Sequence, residues 1–296
     1  MSYELASYEP AQREDYLRLL REAWGPQALQ PEEFDWLFDR NPAGSLRSVA
    51  RANGSVVGVA GHTLLRMVLG GEERLASFSV HATSDPAMRG QGIFRELERK
   101  HEQEAEEQGA AVVLAFASAP TAPIFLGPLG WTEIARLGVW ARPAPRLLRP
   151  RAPRDVAPLA RFEHAGDAAA AWPNHVVRDA RHLSWRYLDS PKRYSAFGGP
   201  AGYAVLGHKV HRGVPVALVA DLAGAPGPLL RACLAAARPG ARAVLALPAP
   251  DHRGTYLRLG FVPTPMSLHL MGKGLADKLD VDPSAWRFTL GDTDFF

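Results

Sequence analysis

The sequence predicts an α/β protein of two similar domains, each a mixed sheet flanked by helices. Three observations carry that reading. The chain has 296 residues, which suits two packed domains of about 150 residues each. Predicted strands and helices alternate through its first half. The second half then repeats part of the first. Val113-Leu114-Ala115-Phe116 leads through a Pro-containing segment and a short helix to Leu129-Gly130-Trp131, and Val244-Leu245-Ala246-Leu247 leads in the same way to Leu259-Gly260-Phe261. The intervals nearly agree, with 16 positions from Leu114 to Gly130 and 15 from Leu245 to Gly260. Such an internal match marks two copies of one unit.

The elements follow in order. Tyr3 to Tyr8 reads as a short strand, and Ala11 to Trp24 places Tyr16, Leu19, Leu20 and Trp24 at helical spacing. Pro31-Glu32-Glu33 opens a second helix, with proline and acids in the first turn where the macrodipole favours them. Leu46 to Arg51 and Ser55 to Leu65 are strands joined at Ala52-Asn53-Gly54, a hairpin signal. Gly70-Gly71 turns into a third strand, Leu75 to Thr83. A helix is expected from Gly92 to Gln108, and the apolar run Val112 to Ala117 suits a buried central strand. The acids Glu96, Glu98, Glu102, Glu104, Glu106 and Glu107 read as that helix's solvated face.

Between Ala141 and Ala157 the composition shifts, with five arginines among Pro143, Pro145, Pro150 and Pro153. Such a stretch packs poorly as helix or central strand. The expected division is therefore a first domain over 1–142, a linker over 143–157 and a second domain over 158–296. The linker reads as solvated chain; RNA contact through its arginines is the weaker alternative.

Composition excludes several classes. Hydrophobic residues make up 47% and charged residues 22%, which rules out a disordered, coiled-coil or collagen-like chain. With 34 basic and 31 acidic residues, the charge is too balanced to argue for nucleic acid. The lone Cys233 removes a disulfide framework and a Cys-based zinc site, and points to a reducing compartment. His62, His208, His211 and His252 show no metal-ligand spacing, so no metal is expected. No basic n-region opens the chain, and no segment approaches the roughly 18 to 20 apolar residues of a membrane helix. A cytoplasmic protein without membrane contact is expected.

The chemistry concentrates in Ser79 to Leu97. A strand ends near Ser84, a tight turn passes Asp85-Pro86, and Arg89-Gly90-Gln91-Gly92-Ile93-Phe94 opens a helix. Amides at a helix N-terminus, approachable because Gly90 and Gly92 lack side chains, cradle anions. Arg89 adds a positive charge at the mouth. The physics predicts a phosphate or pyrophosphate site, yet neither the P-loop nor the dinucleotide glycine fingerprint is present.

Arg89-Gly90-Gln91-Gly92-Ile93 resembles the Arg/Gln-x-x-Gly-x-Gly/Ala signature of the GNAT acyltransferases, with Phe94 in place of the last small residue. The order of elements over residues 1 to about 140 is similar to that family, and the second half resembles a degenerate repeat without the signature, as in tandem GNAT proteins. The resemblance implies two centrally splayed sheets, with the pyrophosphate of acetyl-CoA (or another acyl-CoA) at Arg89, Gly90, Gln91, Gly92, Ile93 and Phe94. It further implies that the strand before the loop parts from its neighbour and offers amides at Ala82, Thr83 and Ser84 to pantetheine and the acyl carbonyl.

For catalysis the resemblance is less complete. The tyrosine many members use as acid falls at Leu126, and the matching position of the second copy is Tyr256. The family's frequent asparagine after the central strand is replaced by Ser118 or Ala119. From the residues themselves, His81, on the strand leading to the loop, would deprotonate an ammonium through water; strand alternation leaves it facing either pocket or core. The C-terminal segment Trp286 to Phe296 carries aromatics and acids and is expected to dock in a groove. Some tandem members place their terminal carboxylate in the active site, which makes Phe296 a candidate base; Asp292 and Asp294 would bind an acceptor ammonium. A tail that only completes packing is the competing reading.

The expected function is N-acylation of a primary amine, most simply a small molecule, by direct attack on an acyl-CoA thioester. A non-catalytic acyl-CoA sensor is the alternative, and homodimerisation is possible because members often pair.

Overall fold

The computed structural model describes residues 2–117, 121–144, 150–162, 172–211, 213–276 and 278–293. The first half runs β1 (Glu4–Ser7), α1 (Arg13–Trp24), α2 (Pro31–Phe34), β2 (Ser45–Ala52), β3 (Ser55–Leu69), β4 (Glu72–Ser84), α3 (Ile93–Glu107), β5 (Ala110–Ala117), α4 (Ala122–Leu126) and β6 (Thr132–Pro143). The second runs β7 (Ala157–Pro158), β8 (Asn174–Val176), α5 (Ala180–Leu183), β9 (Ser195–Gly199), β10 (Gly202–His211), β11 (Val214–Gly224), α6 (Pro226–Ala236), β12 (Ala243–Ala246), α7 (Arg253–Arg258), β13 (Val262–Gly274) and β14 (Trp286–Arg287).

The chain forms two units that are not contiguous in sequence. The first comprises Met1–Met67, Glu72–Ala135 and His269–Asp282; the second comprises Val68–Gly71, Arg136–Leu268 and Pro283–Phe296. The end of β13 therefore returns at His269 to complete the first unit, while β6 from Arg136 onward counts with the second. Arg142 and Pro143, assigned above to the end of a domain and a linker, are paired strand: Val244 faces Arg142 and Ala243 faces Pro143. Proline is tolerated there because it lies at a strand end.

In the first unit the sheet order is β1-β2-β3-β4-β5 followed by the end of β13. β2 and β3 form the expected hairpin, with Asn53 at φ 51° and Gly54 at φ 79°, the left-handed pair that a two-residue turn needs. β4 and β5 are parallel, and β5 is buried along its whole length. α3 covers this sheet with Ile93, Leu97, His101 and Ala105. Glu98 and Glu102 lie on the same buried face, at 0% and 7% exposure, which corrects their assignment to a solvated face. Glu102 accepts from Trp131 Nε1 at 2.6 Å and pairs with Lys273 Nζ at 2.5 Å.

In the second unit the order is β6-β12-β11-β10-β9-β7. β9, β10 and β11 form an antiparallel meander and β11 pairs with β12 in parallel, repeating the arrangement of β2 to β5. A second repeat escaped the sequence reading. α2 widens into a π-helical turn over Asp35–Asp39, and α5 does so over Ser184–Leu188. Each turn closes the same way, Arg40 N to Asp35 O and Asp189 N to Ser184 O, both at 2.9 Å. Each buries a tryptophan, Trp36 and Trp185, six residues before Pro42 and Pro191. Cys233 is buried in the core, and burial pushes its thiol up to about 12; it is an inert apolar residue. No helix among the described residues is long and apolar enough to cross a membrane.

His101 gives the first unit a pH dependence. It is fully buried against His62, with Nε2 2.9 Å from Ser48 Oγ. Burial, together with His62 and Lys100, holds its pKa well below the usual imidazole value. The unfolded chain takes up this proton near pH 6.5 while the folded chain refuses it, so stability falls as pH drops below that point, by up to about 1.4 kcal/mol per pH unit. The melting temperature of the wild type should fall more steeply from pH 6.5 to 5 than that of His101→Gln. Parallel slopes would exclude His101 as the cause.

Candidate functional site

The site begins where two parallel strands stop pairing. The β4–β5 ladder runs from Leu75↔Ala110 to Phe78↔Leu114. Beyond it β4 continues to Ser84 and β5 to Ala117, and neither pairs with the other. Ala82, Thr83 and Ser84 all lie, half-buried, on this parted end of β4. His81 lies there too, with φ at 50°, a left-handed conformation that costs a non-glycine residue about 1–3 kcal/mol and concentrates at functional positions. Its ring meets Trp24 edge-on, at 5.9 Å between centroids.

The loop that follows is fixed by its own hydrogen bonds. Asp85 N donates to Val57 O at 2.8 Å, and the Asp85 carboxylate accepts from Ala87 N at 2.8 Å. Gly90 and Gly92 have φ of 80° and 83°, and Gly92 caps α3 in the left-handed region; only glycine adopts both without strain. A Cβ at Gly90 would meet nothing within 4 Å, so the loop is open there. The first α3 bond is Glu96 N to Gly92 O, which leaves the amides of Ile93, Phe94 and Arg95 at the helix mouth. Ile93 packs so closely on β3 that a Cβ at Gly58 would fall 2.5 Å from its Cγ2. Phe94 turns its ring onto Phe125, 5.6 Å between centroids and near perpendicular, so the bulky departure from the small-residue pattern points away from the loop. Gln91 Nε2 lies 3.6 Å from Met88 Sδ. Arg89 is exposed and forms no ion pair among the described residues. The first unit thus brings together a strand whose β5-facing edge is unpaired, a row of helix-end amides and an exposed guanidinium, a suitable receptacle for a long ligand with an anionic end.

The second unit keeps the parting without the cradle. β11 pairs with β12 from Val216↔Ala243 to Leu218↔Leu245 and continues to Gly224 paired with β10 but not with β12. Asp221, three residues past the ladder, occupies the place of His81 in the first unit. It is 1% exposed and is bridged by Arg178 Nε at 3.0 and 3.2 Å and by Tyr187 Oη at 2.9 Å. Arg178 Nη2 reaches Asp292 Oδ2 at 2.6 Å, and Arg186 donates to the carbonyls of Gly291 and Thr293 at 2.6 and 3.1 Å. The tail is therefore docked, as expected, but Asp292 is not offered to a ligand. Its carboxylate also accepts from Thr289 N and Oγ1. Burial raises its pKa, yet Arg178 and the Thr289 amide outweigh that and hold it below the ordinary carboxylate value.

Tyr256 likewise proves to be core. It is 2% exposed, packs on Phe261 at 5.2 Å between centroids, and burial raises its pKa. Leu126 is exposed on α4. Ser118, Asp294 and Phe296 lie outside the described residues. No group of three or more His, Cys, Asp or Glu among the described residues could hold a metal.

Residues 4–134 match the acetyltransferase (GNAT) domain family. This segment of the chain is a GNAT acetyltransferase domain by sequence. The family that this segment matches is one of acetyltransferases, which supports acyl transfer. No curated protein matches the chain in sequence. Among solved structures it is similar to a GCN5-related N-acetyltransferase from Kribbella flavida, at 18% identity and TM-score 0.65, covering 93% of this chain and 71% of that one. It is similar over 94% of its length to the whole of a tandem GNAT protein from the clavulanic acid biosynthesis pathway, with TM-score 0.60 and 18% identity. Saccharomyces cerevisiae N-myristoyltransferase, solved with bound myristoyl-CoA, aligns at TM-score 0.68 and 12% identity over 94% of this chain and 80% of that one. These likenesses show the GNAT fold.

Proposed function

We propose that this GNAT protein moves an acetyl or other short acyl group from CoA to a primary amine, using the first unit. The observation that carries the reading is the parting of β4 from β5 directly before a helix mouth with free amides. The pyrophosphate would take the amides of Ile93, Phe94 and Arg95, with Arg89 as counter-charge and Gly90 and Gly92 allowing close approach. The pantetheine arm would lie along Ala82, Thr83 and Ser84, with Ser118 near its thioester end. His81, aimed by its left-handed backbone, would accept a proton from the acceptor ammonium through one water. The free amine then attacks the thioester carbon, the carbon–sulfur bond breaks, and the thiolate leaves to be protonated from solvent, since Leu126 offers no hydroxyl. Positioning supplies most of the acceleration in such a step.

The acceptor is read as a small molecule. Support comes from the exposed Trp24 beside His81, an aromatic face suited to a cation. The test is release of CoA thiol from acetyl-CoA across a panel of primary amines. We expect amine-dependent release, with kcat/KM lowered about 100-fold in His81→Ala and a lost acidic limb in its pH profile. Binding of acetyl-CoA without turnover on any amine would overturn the transfer reading.

A further inference from the structure

Beneath the cradle, α3 is tied to β4 by side chains that no step of the proposed reaction uses. Glu98, in the second turn of α3, accepts from Ser79 Oγ at 2.9 Å through Oε1 and meets His62 Nε2 at 3.1 Å through Oε2. His62 Nδ1 in turn lies 2.8 Å from Ser77 Oγ. This satisfies an imidazole that donates to the carboxylate and accepts from the hydroxyl. The order Ser–His–Glu imitates a hydrolytic triad, but His62, Ser77 and Glu98 are all 0% exposed, so no reactant reaches the hydroxyl.

Position along β4 gives the cluster its meaning. Ser77 and Ser79 are alternate residues and share one face of the strand. Ser77 pairs with Val113 inside the ladder, Phe78↔Leu114 is the last pair, and Ser79 is the first residue beyond it. One carboxylate on α3 therefore grips β4 on both sides of the point where the strands part, directly at Ser79 and through His62 at Ser77. Apolar packing tolerates small slides between a helix and a sheet. A buried carboxylate does not, because losing a partner leaves it desolvated and unpaired.

We propose that Glu98, acting through Ser79, is a positioning residue for acyl-CoA. It fixes the mouth of α3, which would hold the pyrophosphate, relative to residues 82–84 of β4, which would hold the pantetheine arm. The inference rests on the assignment of acyl-CoA to this cradle. Its signature is a loss confined to ligands that span both places.

The test titrates two probes, acetyl-CoA and 3′-phosphoadenosine 5′-diphosphate, which keeps the pyrophosphate and lacks the arm. Wild type is compared with Ser79→Ala, with Ser79→Thr, which restores a hydroxyl, and with Ser48→Ala. Ser48 is more deeply buried than Ser79 and bonds a histidine, His101, rather than Glu98. Ser79→Ala should bind acetyl-CoA about five- to tenfold more weakly, equivalent to ~1–1.4 kcal/mol, and the short probe within twofold of wild type. Ser79→Thr should recover most of the loss, and Ser48→Ala should change neither probe. Equal weakening of both probes by Ser79→Ala, weakening of neither, or the same split in Ser48→Ala would overturn the positioning role. Wild type that binds neither probe would instead overturn the acyl-CoA assignment itself.

Discussion

The double substitution Arg89→Glu, Gly92→Glu should abolish measurable acetyl-CoA binding while the protein stays folded. At Gly92 the backbone has φ 83°, where a side chain costs about 1–2 kcal/mol, and the new carboxylate would stand at the mouth of α3. At Arg89 an exposed, unpaired guanidinium becomes a second negative charge. The two changes together exceed about 3 kcal/mol against a bound pyrophosphate, more than a hundredfold in affinity. Calorimetric titration should show binding to wild type alone, with circular dichroism and melting temperature confirming that both are folded. Equal binding by both proteins would remove the cradle from the site.

Arg178→Ala should destabilise the second unit by about 3–5 kcal/mol, a large share of a typical domain's 5–15 kcal/mol. The guanidinium is buried between two carboxylates, at 3.0 Å from Asp221 and 2.6 Å from Asp292, and its removal strands both. Arg178→Lys should rescue little, because an ammonium cannot reproduce the fork that reaches Asp221 through Nε and Asp292 through Nη2. Asp292→Asn should cost less, since Asp221 keeps its partner. In the wild type, Asp292 is held below the ordinary carboxylate value, so its contribution is present at neutral pH and fades as pH falls through its folded pKa. Urea unfolding of the three variants at neutral pH checks the order; a loss under 1 kcal/mol for Arg178→Ala would show that the site admits water.

The first unit was largely legible because its signals are local. Glycines at positive φ and a helix-start pattern announce themselves within a few residues of Gly92, and the apolar run of β5 within its own length. What stayed hidden depends on contacts far apart in sequence. Glu98 looks like one acid among six until its helical neighbours Leu97, His101 and Ala105 are placed on the same buried face. Asp292 looks available because its partner, Arg178, is more than a hundred residues away. The tryptophan–proline spacing shared by Trp36 and Trp185 was readable, and would have located the second copy more firmly than the Leu-Gly-aromatic match. The left-handed backbone of His81 sits inside a strand pattern, where sequence gives little reason to expect a positive φ, even for a residue type enriched there.

The order in which the chain is synthesised meets an obstacle in its own topology. β5 offers one edge to β4 and the other, from Val112 to Ala117, to residues 269–274. During translation that second edge must wait, bare and apolar, while residues 136–268 are made. Open edges of this kind recruit other chains. A gene cut within the Pro/Arg-rich stretch would therefore yield no independent acyl-CoA-binding half, only a fragment whose central strand lacks its last neighbour. The first unit is thus complete only once residues 269–274 have been made.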